Sequence, residues 1–171
     1  YGHPRSRAGG EDGYFGDLLT KLPQMRRVLH VDCDSRGAAR LQSASHQTLS
    51  LHAWGNIADT FRLPFQFWRP TAQQTSGPFG WLVRRAACLE AGTGQAAMIA
   101  WQLQCQRRWL EKARPKTVAW PWENHAWERA FVASCKQLQV RTIGYQHSVV
   151  GRQMLNYSPK SSASGLQSCP D

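Results

Sequence analysis

The sequence predicts an α/β domain built on an open parallel sheet with helices on both faces. Near the end of the chain, apolar runs at 117–120 and 140–145 flank a helical segment. Two strands joined in this way by a helix must run parallel. Two further short apolar runs, at 27–32 and 48–54, predict two more strands. Strands that alternate with helical segments are typical of this fold class.

Helical segments are expected between these strands. Helices are predicted over 79–90 and 95–113, and the second carries one stripe of core residues: Met98, Trp101, Cys105 and Trp109. Asn124 is expected to cap a helix between the last two strands. Its inner face is predicted from four positions: Trp127, Phe131, Ser134 and Leu138. Apolar residues at steps of four, four and three also predict one helix face earlier in the chain: Ile57, Phe61, Phe65 and Trp68.

Length, composition and charge narrow the class of protein. The 171 residues suit one domain, and eight Trp, six Phe and four Tyr exclude a disordered chain. No apolar run is long enough to span a membrane. The 21 basic residues against 11 acidic ones give a net charge of +10, which favours nucleic acid, anionic lipid or phosphorylated substrates. Five cysteines without C-x-x-C spacing and the lack of a signal peptide predict a cytoplasmic location.

Polar residues follow two of the predicted strands directly. Glu123, Asn124 and His125 follow the strand at 117–120, and Gln146 and His147 follow the strand at 140–145. Ligands bind at the carboxyl ends of strands in open α/β sheets. If these strands are neighbours, the five residues line one cleft beside a helix N-terminus, which attracts anions.

Structural roles remain open for the same residues. Asn124 is equally explained as a helix cap, Glu123 as a first-turn acid, and His125 and His147 as surface or structural histidines. The spacing does not indicate a metal site. Phosphate-binding and esterase glycine motifs are absent from the sequence, and the weak Gly-x-x-Gly pattern ending at Gly16 could turn the chain near a ligand.

Several sequence blocks carry a family resemblance. Residues 120–128 read WPWENHAWE, residues 142–148 read TIGYQHS, and residues 155–159 read LNYSP. Together with GYFGDL at 13–18 and SLHAW at 50–54, they resemble bacterial surface-carbohydrate biosynthesis proteins of the capsule and lipopolysaccharide type. The first two blocks are moderately specific as a pair and weak singly.

The resemblance implies one half of a GT-B-like glycosyltransferase, an enzyme with two facing Rossmann-like domains. Residues 1–12 are then an irregular lead-in, 13–159 the acceptor-side domain, and 160–171 the start of a linker to a C-terminal half. That half is expected to bind the nucleotide-sugar, which serves as co-substrate without a further cofactor. Both ends of the chain look cut, so we expect a piece of a longer protein that is inactive alone.

The resemblance also implies residue roles. Transfer with inversion needs a base for the acceptor hydroxyl, and Glu123 and His147 are the candidates. The substrate-binding candidates, which would contact or orient the sugar or turn the chain beside it, are Asn124, His125, Gln146, Tyr145 and Gly16. The expected partners are a nucleotide-sugar donor and a glycan or lipid-linked acceptor.

Other functions stay open. An epimerase or hydrolase on the same fold would use a similar acid–base pair, and a non-catalytic carbohydrate-assembly protein would need none. A nucleic-acid-binding domain would explain the charge, but the basic residues are scattered and no nucleic acid is expected. Basic and Trp residues could also hold the protein at the inner face of the cell membrane.

Overall fold

A computed structural model describes residues 12–29, 48–65, 69–70, 72–91, 93–146, 149–151 and 168–171. The strands are β1 Arg27–Leu29, β2 Thr48–Ser50, β3 Thr117–Pro121 and β4 Arg141–Tyr145. The α-helices are α1 Leu18–Lys21, α2 Ile57–Thr60, α3 Ala72–Thr75, α4 Gly80–Glu90, α5 Gly94–Ala113 and α6 Ala126–Gln137. Short 3₁₀ turns cover Leu51–Trp54 and Leu63–Phe65.

The predicted strand–helix–strand unit is confirmed. β3 pairs with β4 in parallel, from Thr117 opposite Arg141 to Pro121 opposite Tyr145, and α6 connects the two strands. The two strands start and end together, so their carboxyl ends lie side by side.

The strands predicted earlier in the chain form a second parallel pair, with Arg27 opposite Thr48 and Leu29 opposite Ser50. Within the described residues the two pairs are separate two-stranded sheets, and no open Rossmann-like sheet is seen. The union of the pairs into one open sheet therefore stays a prediction. Residues 30–32, predicted as the end of the first strand, lie outside the described residues.

The strand predicted over 48–54 is wrong beyond Ser50. The Ser50 hydroxyl accepts a hydrogen bond from the His52 backbone N–H at 3.3 Å, and residues 51–54 wind into a 3₁₀ turn. Local side-chain bonds of this kind compete with extended structure. The buried Leu51 of this turn joins the core beneath α5.

The core lies between α5, α6 and the strands β3 and β4. Thr93 caps α5 by accepting from the Ala96 N–H at 3.3 Å, and Arg114 ends it in the left-handed conformation just before Pro115. Nine buried apolar residues of the described part of the chain form one cluster: Leu51, Cys105, Trp109, Leu110, Trp120, Phe131, Val132, Cys135 and Val140. The predicted core role of Cys105 and Trp109 is confirmed, and Trp101 is partly buried against the cluster. The prediction is wrong for Met98, which is 42% exposed. Burial raises the pKa of the Cys105 thiol to about 11 and that of Cys135 to about 12.

The predicted inner face of α6 is wrong in part. The buried residues of α6 are Glu128, Phe131, Val132 and Cys135. Of the four predicted positions, Phe131 is buried, and Trp127 is partly buried and packs against the core cluster. Ser134 is partly buried, and Leu138 just after the helix is exposed. The face differs because a carboxylate occupies a core position, which hydrophobic spacing does not predict.

The apolar face predicted over 57–68 is not a core face in the described residues. Ile57, Phe61 and Phe65 are 75–78% exposed, and Trp68 lies outside the described residues. α2 ends at Thr60, and a 3₁₀ turn follows around Pro64, so the helical spacing is interrupted. The buried residue of α2 is Asp59, which pairs with Arg108 of α5.

Candidate active site at the carboxyl ends of β3 and β4

The carboxyl ends of β3 and β4 lie side by side, so the segment that begins at Glu123 and the residue Gln146 follow neighbouring strand ends. Beyond the last residue pair, the Trp122 N–H donates to the Tyr145 carbonyl at 2.9 Å. Trp122 thus continues the parallel ladder by one bond, and Glu123 starts the turn into α6. The predicted juxtaposition of these strand ends is confirmed, whereas their role in binding stays a prediction.

Glu123 and His125 form a close acid–base pair in this turn. His125 Nε2 lies 2.9 Å from Glu123 Oε2, and the two side chains are 57% and 43% exposed. A carboxylate and an imidazole at this distance can exchange a proton and fix each other's orientation. Both groups remain within reach of a solute.

Asn124 stands between them with a left-handed backbone, at φ +60°. Asn tolerates this region better than most residues. Its Oδ1 accepts from Arg129 Nε at 2.7 Å, and Arg129 Nη1 donates to Ser168 Oγ at 3.0 Å. The expectation that Asn124 caps α6 is wrong, since the N-cap is His125.

Glu128 stabilises this turn through hydrogen bonds. The sequence interpretation assigned no role to it. Its side chain is 1% exposed, and its oxygens accept from Trp120 Nε1 at 3.2 Å, the His125 N–H at 2.6 Å and the Glu123 N–H at 3.2 Å. Burial raises the pKa of this carboxyl, and the hydrogen bonds from the two backbone N–H groups act against the rise. Glu128 therefore holds the backbone on both sides of Asn124 in place.

The turn before α6 already holds an anion, and binding of a solute anion beside this helix N-terminus stays a prediction. The amides of Glu123 and His125 bind the carboxylate of Glu128, an anion that the chain supplies itself. A Glu three residues after the N-cap is the signature of a capping box, and that spacing is the signal that could have identified Glu128.

The turn that contains Gly16 contacts the carboxyl end of β4 through a pair of aromatic rings. Gly16 has φ +57°, and its N–H and C=O bond to the C=O and N–H of Asp12 at 2.8 and 2.7 Å. The Phe15 ring packs against the Tyr145 ring, with 5.9 Å between centroids. Glycine is needed here for its backbone conformation, because nothing lies within 4 Å of an added Cβ. Gly16 and Tyr145, both predicted to bind substrate, therefore belong to one region.

Residues 168–171 pack along β4. The Thr142 N–H and Oγ1 both bond to Asp171 Oδ2, at 2.9 and 3.1 Å, and these bonds hold the pKa of the Asp171 carboxyl below its usual value. Lys136 Nζ of α6 donates to the Cys169 carbonyl at 2.9 Å. Pro170 lies so close to Gly144 that an added Cβ would be 2.8 Å from its Cγ.

Two of the predicted site residues remain, Gln146 and His147. Gln146 follows Tyr145 directly and is exposed, as expected for a residue at the strand end. His147, the second candidate base, lies outside the described residues. Within the described residues, no three His, Cys, Asp or Glu side chains are grouped as a metal site would need.

No protein-family model, curated protein or solved structure matches the chain. Among the helices that the structure describes, none combines the length and the apolar character needed to cross a membrane.

Proposed function

We propose that the chain is the acceptor-side part of a GT-B-like glycosyltransferase of bacterial surface-polysaccharide biosynthesis. The observation that carries the proposal is the exposed Glu123–His125 pair, with 2.9 Å between Nε2 and Oε2, beside the joined ends of β3 and β4. Ligands of α/β folds bind at such strand ends. The resemblance of the two sequence blocks that contain these residues supplies the substrate class.

Glu123 is the proposed base. In transfer with inversion, its carboxylate takes the proton of the acceptor hydroxyl while that oxygen forms a bond to the anomeric carbon. The bond from this carbon to the nucleoside diphosphate breaks, and the diphosphate leaves with the electron pair. His125 acts as a positioning residue, because its ring holds the carboxylate through Oε2.

Neighbouring residues would shape the acceptor site. Asn124 can donate its amide hydrogens to sugar hydroxyls, since its Oδ1 accepts from Arg129. Gln146 at the end of β4 can both donate and accept, and Tyr145 offers a ring on which a sugar can stack. His147 remains the alternative base from the sequence prediction.

Nucleotide release from a panel of nucleotide-sugars tests the proposal. We would express the complete gene, add glycan and lipid-linked acceptors, and compare the wild type with Glu123→Gln and His147→Ala. Glu111→Gln is the matched control, because Glu111 is also exposed and paired, with Arg107 at 2.9 Å, but lies on α5. Removal of a general base is expected to slow turnover about 10²–10⁴-fold.

Each result separates the candidates. Acceptor-dependent release that Glu123→Gln abolishes and Glu111→Gln leaves intact supports the proposal. If His147→Ala alone abolishes acceptor-dependent release, His147 is the base. Release of free sugar without acceptor, or a change of sugar configuration without release, identifies a hydrolase or an epimerase. If Glu123→Gln and His147→Ala both keep the turnover of the wild type, both residues have a structural role.

A further inference from the structure

The outward face of α4 is apolar although it does not face the core. Trp81 and Leu89 are 57% and 66% exposed, and Leu82 is half exposed. Trp81, Arg85 and Leu89 follow each other at one-turn intervals, and Leu82 lies seven residues before Leu89, so all four share one face. The inward side of α4 is made of small residues, with Gly80 and Ala87 buried.

Arginines accompany this apolar face. Arg84 and Arg85 are both exposed, and Arg84 Nη1 donates to the Thr75 carbonyl at 3.0 Å, which ties the helix to α3. The acidic residue of α4 is Glu90, at its last position. A stripe of Trp and Leu with arginines on and beside it is typical of helices that lie at a membrane surface.

The preceding segment has the same character. The exposed Ile57, Phe61 and Phe65 of α2 and its following 3₁₀ turn are accompanied by the exposed Arg62. Asp59, the acid of α2, is neutralised by Arg108 through a two-point pair that also holds its pKa below the usual value. Basic charge therefore dominates on this stretch, as it does in the whole chain.

We propose that the outward face of α4, made of Trp81, Leu82, Arg85 and Leu89, binds the surface of an anionic lipid bilayer. Trp and Leu side chains gain free energy when they leave water for the headgroup region, and the arginines gain from anionic lipid. A second copy of the chain fits this face less well, because a two-fold axis through the middle of the face would place Arg85 near its own symmetry mate. Nucleic acid would satisfy the arginines but not the leucines. The proposal does not depend on the glycosyltransferase function, because its test needs no turnover.

Co-sedimentation with vesicles tests this surface. The full chain would be mixed with vesicles of phosphatidylglycerol and phosphatidylcholine, or of phosphatidylcholine alone. The variants are Trp81→Ala with Leu89→Ala, and Arg84→Gln with Arg85→Gln. The control is Lys21→Gln with Arg107→Gln, which removes the same charge from exposed positions of α1 and α5. Circular dichroism verifies that each variant is folded.

The wild type is expected to bind the anionic vesicles, and to bind more weakly as salt rises. Each α4 arginine should raise the partition coefficient onto anionic vesicles about fivefold. Trp81→Ala with Leu89→Ala should reduce that coefficient to about a tenth or less of the wild-type value. The control pair should weaken binding less than the α4 pair. Equal losses for the two charge pairs, or equal binding to both vesicle types, would overturn the proposal. It would also be overturned by a dimer in solution that Trp81→Ala with Leu89→Ala dissociates, since a second copy would then cover the face.

Discussion

Two regions of this chain carry similar apolar patterns and use them differently. In the unit from β3 to β4, large side chains of α6 pack against Trp109 and Trp120 in the core. Among the described residues between 57 and 90, side chains at equally regular spacing remain exposed, and the buried positions there are Asp59, Gly80 and Ala87. Apolar spacing thus predicts a helix, but a partner surface decides whether its apolar face is buried. In the first region β3 and β4 supply that partner.

The largest expected effect compares one phenylalanine from each region. Phe131→Ala removes a buried ring that contacts Trp109 and Trp120, and we expect a loss of about 3–5 kcal/mol in the free energy of unfolding. Phe61→Ala should change it by less than about 0.5 kcal/mol, because Phe61 is exposed. Urea denaturation measures both values. Equal losses would mean that the 57–90 region is packed as tightly as the unit from β3 to β4.

A second comparison uses two glutamates. Glu128→Ala leaves the N–H groups of Trp120, Glu123 and His125 without their acceptor, and we expect a loss of about 3 kcal/mol. Glu111→Ala removes an exposed ion pair and should cost less than about 1 kcal/mol. The same denaturation experiment compares them. A Glu128 variant as stable as the wild type would remove Glu128 as the support of the candidate site.

Two glycines sharpen the contrast in packing. A Cβ on Gly144 would lie 2.8 Å from Pro170 Cγ and 3.0 Å from Trp122 Cβ, whereas one on Gly77 meets nothing within 4 Å. Gly144→Ala is expected to lower the free energy of unfolding by about 1–3 kcal/mol, because the added methyl group overpacks the site. Gly77→Ala serves as the neutral control in thermal unfolding. If Gly144→Ala is neutral as well, residues 168–171 do not pack closely on β4.

The smallest expected effect concerns stability at low pH and the ion pair that links the 57–90 region to α5. The Asp59 carboxyl pairs with Arg108 of α5, and this pairing holds its pKa below the ordinary value of 3.8. A lowered folded-state pKa stabilises the fold above the unfolded value, and this contribution is lost as pH falls through the folded-state pKa. The wild type should therefore exceed Asp59→Asn in stability at pH 6, and the difference should shrink below about pH 4. A pH-independent difference would contradict the role of this ion pair.

The sequence predicts the unit from β3 to β4 well because its signals are local. A short apolar run at 117–120, ended by Pro121, and a second at 140–145 mark the strands, and the intervening helix leaves parallel pairing as the solution. Glu123 and His125 follow from their place after a strand. The chain between them turns as it does because of Glu128, and a buried carboxylate contradicts the hydrophobic pattern from which helix faces are predicted. The buried positions of α6 other than Phe131 were missed for the same reason.

The 57–90 region is predicted less well because its outcome depends on tertiary contacts. Helix bounds over 80–90 follow from the pattern, but the exposure of Trp81 and Leu89 does not. The burial of Asp59 depends on Arg108, which lies 49 residues away. Sequence spacing carries no information about such a distant partner.

The most direct test of the proposed active site is a double-mutant cycle on Glu123 and His125, measured as nucleotide release at saturating acceptor. If His125 acts by positioning Glu123, Glu123→Gln alone should slow turnover about 10²–10⁴-fold. Adding His125→Gln should then cause almost no further loss, because residues that act as a unit are not additive. Effects of the two substitutions that simply multiply would show that Glu123 and His125 act independently, and the proposed pair would be wrong.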